Sequence, residues 1–211
     1  MVGISLRESA YETLKEQILS AQRAPGETLN EKEVAASLGV SKTPVREAIS
    51  RLSAEGFVEV YPRQGTIVRH VQVRDIKNVL LVRSLVEPEA AYQAALRATP
   101  EDLEQLRTLD DEQIATPEGA WPDLRQHARF HVAVAEVGRV PQLTAIVATV
   151  HDQVRWFLAS HAREGGAPFP MRLHETLLEA IARGDADEAR RVSEESVRTS
   201  RANLLKNLID G

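Results

Sequence analysis

The sequence predicts a mainly α protein in two parts: three short helices closed by a small β-hairpin, then an all-α antiparallel helical bundle. Three observations predict it. Glycine and proline punctuation divides residues 1–70 into short runs of helical period followed by two short alternating runs. Strand signals stop near residue 74, and long helical periodicities continue to the C-terminus. The chain has 211 residues, 43% hydrophobic and 27% charged, a balance that fits one large or two small folded domains with a proper core.

Each element has a local reason. Ala10, Leu14, Ile18 and Leu19 recur at helical spacing over residues 8–22, and Pro25-Gly26 stops that helix. Asn30 is placed to cap a helix over 31–38, with acid in its first turn and Gly39 at its end. Ser41 is placed to cap a third helix over 43–55, where Pro44 sits in the first turn and its missing N–H costs nothing. After Gly56, residues 57–60 and 66–68 alternate as strands around Tyr61-Pro62-Arg63-Gln64-Gly65, the pattern of a hairpin. Helix, helix, turn, helix and hairpin make a winged helix-turn-helix, which occupies residues 1–70. Val71-Gln72-Val73 is the junction, and residues 74–211 form the second domain. Its helices are expected near 74–98, 100–114, 117–137, 140–164, 168–183 and 185–208, with proline or glycine at the breaks. Pro88 is expected to kink the first of these without ending it, because apolar periodicity continues through Ala91, Ala94 and Ala95.

Composition excludes several classes of function. With no cysteine there is no disulfide framework, cysteine nucleophile, thiolate zinc site or iron–sulfur cluster, so any metal falls to histidine and carboxylate ligands. The N-terminus lacks a long apolar stretch and no segment approaches eighteen uninterrupted apolar residues, so a cytoplasmic protein with no membrane span is expected. The formal charge of -5 argues against a coat that binds nucleic acid everywhere, but it says little about a local contact face. Residues 1–70 carry nine basic and nine acidic side chains, so the excess acid belongs entirely to the second domain.

Residues 38–51 hold the motif with the clearest chemistry. Gly39 permits the turn, while Val34, Leu38, Val45, Ile49 and Leu52 are placed to fix the angle between two helices. Ser41, Lys42, Thr43 and Arg46 gather at the start of the second helix, the end that enters the major groove in known docking modes. Arg46 is the candidate for a bidentate guanine contact, worth about 1–3 kcal/mol of discrimination. Lys32, and Arg63, Gln64 and Gly65 at the wing tip, are placed for backbone or minor-groove contacts, with Glu31, Glu33, Glu47, Glu55 and Glu59 expected to point elsewhere.

The run from Leu29-Asn30-Glu31 through Leu38-Gly39-Val40-Ser41-Lys42-Thr43-Pro44-Val45-Arg46-Glu47-Ala48-Ile49 to Glu55-Gly56 resembles the GntR family of bacterial transcription regulators. Arg83-Ser84-Leu85-Val86-Glu87, Phe130-His131 and the segment from His174 to Ile181 with Gly184-Asp185 resemble the helical domain of its FadR-like (FCD) branch. The resemblance covers nearly the whole chain. It implies a homodimer that binds a palindromic double-stranded operator, and a helical domain that senses a small metabolite, often a carboxylic acid.

His127 and His131 are spaced i, i+4 and His174 follows on another expected helix. As residues alone they read either as converging ligands or as satisfied polar groups. In the resembled branch a divalent metal, zinc or a similar ion, is held by one Asp and three His. His131 and His174 match that pattern, His127 fills the Asp position, and Ser196 stands where the last His is expected. His151 is a substitute ligand candidate. Arg83 either pairs with Glu87 at i, i+4 or, as the resemblance implies, contacts an effector carboxylate. Arg155 is a second effector candidate and Trp156 a core residue. The leading expectation is a ligand-responsive repressor, not an enzyme. The alternatives are a constitutive DNA-binding dimer with a degenerate effector pocket and a metal-dependent hydrolase. The last is the weakest, because Ala128 stands where the helical zinc-protease motif places its Glu.

Overall fold

The computed structural model describes residues 5–63, 65–112, 121–166 and 174–210. The winged helix-turn-helix and the helical bundle expected from the sequence are both present. The chain divides into two compact units, residues 1–72 and 73–211.

In the first unit α1 (Leu6–Leu19), α2 (Glu31–Leu38) and α3 (Lys42–Ala54) surround a core that includes Leu14, Ile18, Val34, Val45, Leu52 and Phe57. Leu14 and Leu52 are fully enclosed, and each contributes roughly 2 kcal/mol of apolar burial. The Asn30 carboxamide oxygen accepts from Lys32 N at 2.9 Å and so starts α2. Gly39 at φ 66° ends it, in the left-handed region a side chain disfavours. Ser41 occupies the N-cap position of α3, but its hydroxyl makes no cap hydrogen bond. The Tyr11 hydroxyl donates to Glu55 at 2.7 Å and the Arg51 guanidinium lies 3.5 Å from the Tyr11 ring centre, tying α1 to α3.

The hairpin expected from sequence is part of a larger sheet. β1 (Thr28–Leu29), β2 (Val58–Tyr61) and β3 (Gly65–Val68) form an antiparallel sheet in the order β1-β3-β2. β1 has only two residues, too few to show an alternation, and it is a strand because Thr28 pairs with Ile67 and Leu29 with Thr66. Gln64 at the wing tip lies outside the described residues.

In the second unit α4 (Val73–Arg97) packs against α6 (Leu124–Val137), α7 (Pro141–Arg163), α8 (Glu175–Ala182) and α9 (Ala186–Asp210), while α5 (Pro100–Asp111) lies on α6 and α8. α4 continues through Pro88. Its small residues Ala91, Ala94 and Ala95 lie in one core with Phe130, Val134, Leu177 and Ile181. Gly138 belongs to the same close packing, since a Cβ there would lie 3.0 Å from Gln93 Cβ.

Two helix starts differ from the sequence expectation. α6 begins at Leu124, not near 117, because the Asp123 carboxylate accepts from Arg125 N and Gln126 N and caps it there. α8 begins at Glu175, so His174 is the residue before a helix, at φ -102° and ψ 18°. The segments 113–120 and 167–173, on which the remaining parts of those expected helices fall, lie outside the described residues. Among the described residues no helix is long and apolar enough to cross a membrane.

Candidate nucleic-acid interface and candidate metal centre

The candidate recognition surface follows from the two-sided pattern of α3. Pro44, Val45, Ala48 and Ile49 are buried, which leaves Ser41, Lys42, Thr43 and Arg46 exposed. Lys32 on α2 is exposed, as are Arg63 and Gly65 at the wing. Among the described residues neither Lys32 nor Lys42 has an ion-pair partner. The arrangement offers cations, hydroxyls and the N-terminus of a thirteen-residue helix on one face, chemistry suited to phosphates and base edges.

One acid expected to point away does not. Arg46 Nε donates to Glu31 Oε2 at 2.7 Å across the helix-turn-helix, because the start of α2 faces the middle of α3. The Arg46 and Glu31 side chains are 65% and 36% exposed, so the pair is worth at most about 1 kcal/mol and yields readily to a phosphate or a guanine edge. The other acids are engaged elsewhere: Glu47 with Arg7 at 3.1 Å, Glu55 with Lys15 at 3.1 Å, Glu33 with the Asn30 side chain, and Glu59 with the Tyr61 hydroxyl.

The second site is largely buried, with His127 half-buried, and is assembled from five helices or their ends. His127 and His131 come from successive turns of α6, and His174 from the residue before α8. One ligand atom from each lies within 4.8 Å of the others. The spacing between ligands of a zinc tetrahedron is about 3.4 Å, so the set is gathered but not closed. His131 Nε2 is buried and has no hydrogen-bond partner among the described residues, an orphan of the kind a metal would satisfy. Ser196 lines the adjoining cavity of about 280 Å³ together with Glu87, His131, His174, Ser193 and Arg191.

Two buried carboxylates back these rings. Glu87 on α4 lies 2.9 Å from His151 Nε2 and 3.5 Å from His131 Nδ1. It is also bound by Arg83, through Nε and, at 3.3 Å, through Nη2. Burial alone would raise the Glu87 carboxyl, but the Arg83 guanidinium with His151 and His131 holds it well below the usual carboxylate range. Burial, and then the charge of neighbouring histidines, pushes His127 and His131 well below the ordinary imidazole value. Burial also lowers His151, against the pull of Glu87. On the other side, Asp110 at the end of α5 meets His174 Nδ1 at 2.9 Å and accepts from the His174 backbone N–H at 3.3 Å.

The structure brings His127, His131 and His174 together and places Ser196 at the edge of their cavity. His151 stacks on His131 with ring centres 4.3 Å apart and bonds Glu87, and Glu87, His131 and His151 form a second group whose ligand atoms lie within 4.8 Å of one another, so His151 stays a candidate ligand. Arg83 takes the intrahelical pairing and is not among the residues lining the cavity. Arg155 and Trp156 are buried on α7. Asp110 escaped the sequence reading. Its signal was there, since it stands seven residues after Leu103 on a stripe that also holds Leu106, where an acid needs a reason.

A winged helix-turn-helix joined to a helical bundle with a buried histidine centre defines the class of two-part DNA-binding regulators. Residues 6–68 match the family described as bacterial regulatory proteins, gntR family, and residues 78–199 match the FCD domain. The chain belongs to the GntR family of transcription regulators, in its FCD branch, with an N-terminal DNA-binding domain. It is 32% identical over 133 residues to the Nta operon transcriptional regulator of Aminobacter aminovorans, a match that spans 63% of each chain. It is 27% identical over 192 residues to the HTH-type transcriptional repressor RspR of Escherichia coli K12, spanning 88% of this chain and 83% of that one. Among solved structures, E. coli McbR/YncC superposes with a TM-score of 0.82 at 27% identity, covering 98% of this chain and 100% of the other. The two relatives matched by sequence are named as regulators of transcription.

Proposed function

We propose that the chain is a cytoplasmic, homodimeric repressor that reads a palindromic operator through α3 and the wing, and whose helical unit senses a small carboxylate together with a divalent transition metal. The observation that carries the sensing half is the convergence of His127, His131 and His174 beside a cavity, with His131 Nε2 left without a partner among the described residues. Three imidazoles suit zinc or a similar borderline ion better than magnesium or calcium, which prefer oxygen ligands. When bound, such an ion supplies a Lewis-acidic position for an effector carboxylate. The chain's own residues do the rest: Arg83 neutralises Glu87, which would otherwise repel an anion, and Ser193, Ser196 and Arg191 offer polar contacts on the cavity wall. Repression rather than activation is supported by the likeness to a relative named as a repressor.

In this reading the ligand acts only if it binds more tightly to one arrangement of the paired DNA-binding units than to another. The test is a gel shift on duplexes selected from a random pool, with zinc and a panel of small carboxylates added singly and together. A change in operator affinity of fivefold or more with metal and acid carries the reading. A second reading is favoured by the commitment of Arg83 to Glu87 and by Ser196 in place of a ligand: a constitutive dimer with a degenerate pocket. Operator affinity unmoved by every addition, in protein that dimerises and binds, selects it.

A further inference from the structure

We propose that Asp110 is the positioning residue of the histidine centre, holding His174 in the Nδ1–H form so that Nε2 is its ligand atom. The proposal rests on the metal reading above, and the chemistry is local. A carboxylate accepts and does not donate, so at 2.9 Å from His174 Nδ1 it selects the ring form with hydrogen on that nitrogen and the lone pair on the other. The same carboxylate accepts from the His174 backbone N–H, with both oxygens at 3.3 Å. Ring and backbone are therefore gripped by one group, which matters because His174 precedes α8 and has no helical hydrogen bond to hold its amide. Stacking on Phe130, with centres 4.0 Å apart at 17°, fixes the ring plane.

Charge gives Asp110 a further role. Three neutral imidazoles bring no negative charge to a divalent ion. Glu87, a second buried carboxylate near the triad, is already neutralised by Arg83. Asp110 is buried and, among the described residues, its one ion-pair partner is His174. Its charge therefore remains to offset that of the ion, through the imidazole, as outer carboxylates do in other histidine sites.

Two measurements decide it, both on the full chain with Asp110→Asn and Asp110→Ala. In the metal-free protein, nitrogen-15 NMR of the imidazoles should show His174 protonated at Nδ1, shifting towards the Nε2-protonated form in Asp110→Ala. A native His174 already protonated at Nε2 overturns the proposal. Zinc affinity, measured by competition with a chromogenic chelator, should fall about 10–100-fold in Asp110→Asn, with thermal stability of the metal-free protein little changed. Affinity equal to native in both variants overturns the proposal and leaves the metal reading standing. No zinc uptake by the native chain overturns the metal reading, and the NMR result still decides the Asp110 assignment.

Discussion

The two units place their chemistry in opposite environments. In the first, the residues proposed to meet DNA are exposed, come from residues 32–46 and from a wing, and are carried on a buried apolar core. In the second, the polar groups are buried, come from α4, α5, α6, α7 and the start of α8, and hold one another. An exposed charge is solvated and can be exchanged for a phosphate at little cost, so the first unit tolerates loose pairs such as Arg46–Glu31. A buried charge needs a partner with fixed geometry, so the second unit is built as a network in which the loss of one member exposes the others.

The largest effect expected from this contrast is in the buried centre. His131→Ala should lower zinc affinity by at least the roughly 100-fold that outer-residue changes reach, read by chelator competition, and should leave DNA binding by metal-free protein in place. Unchanged zinc affinity removes His131 from the ligand set. Next comes Arg46→Ala, which should cost about 1–3 kcal/mol, roughly 5- to 150-fold, against a selected operator, with dimerisation intact by light scattering. Equal operator affinity breaks the assignment of α3 as the reading helix.

Acid should separate the units more gradually. Burial holds His127, His131 and His151 below the ordinary imidazole value, so the folded metal-free protein binds fewer protons than the unfolded chain. Their stabilisation is complete above about pH 6.5 and is lost below it, by up to about 1.4 kcal/mol per pH unit for each histidine that stays neutral. Glu87, held low, contributes stability above its unfolded value near about pH 4.3 that disappears as pH falls further towards its folded value. Thermal melts of chelator-treated protein should therefore fall from pH 7.5 to 5. A flat profile breaks the account of a neutral buried cluster. The smallest effect is at the surface: Lys32→Ala should reduce the slope of log affinity against log salt by about one if Lys32 neutralises a phosphate. An unchanged slope moves that contact elsewhere.

The DNA-reading unit was the more legible in sequence because its chemistry is local. Asn30, Gly39 and Pro44 mark helix ends by backbone rules that act within a few residues, and α2 appears at the expected 31–38. The pairing of Glu31 with Arg46 was not legible, because helix periodicity places a residue on a face without saying what faces it across a turn. In the helical unit the spacing of His127 and His131 was readable, since i, i+4 is a property of one helix. The contacts of His174 with Asp110 and of His151 with Glu87 each join residues 64 apart, and no local pattern encodes such a distance.

The sequence by itself determined the ends of α2, the two-part division of character, the polar face of α3 and the restriction of any metal to nitrogen and oxygen ligands. Those follow from dihedral preference, periodicity and the absence of cysteine. The tertiary structure alone decided that β1 completes a three-stranded sheet, that Arg83 is bound to Glu87, and that His127, His131, His151 and His174 meet between two buried carboxylates. The sheet and the histidine cluster depend on which elements face each other, a choice made by the packing of the whole core, and that packing, by burying both side chains, also selects the intrahelical Arg83–Glu87 pair.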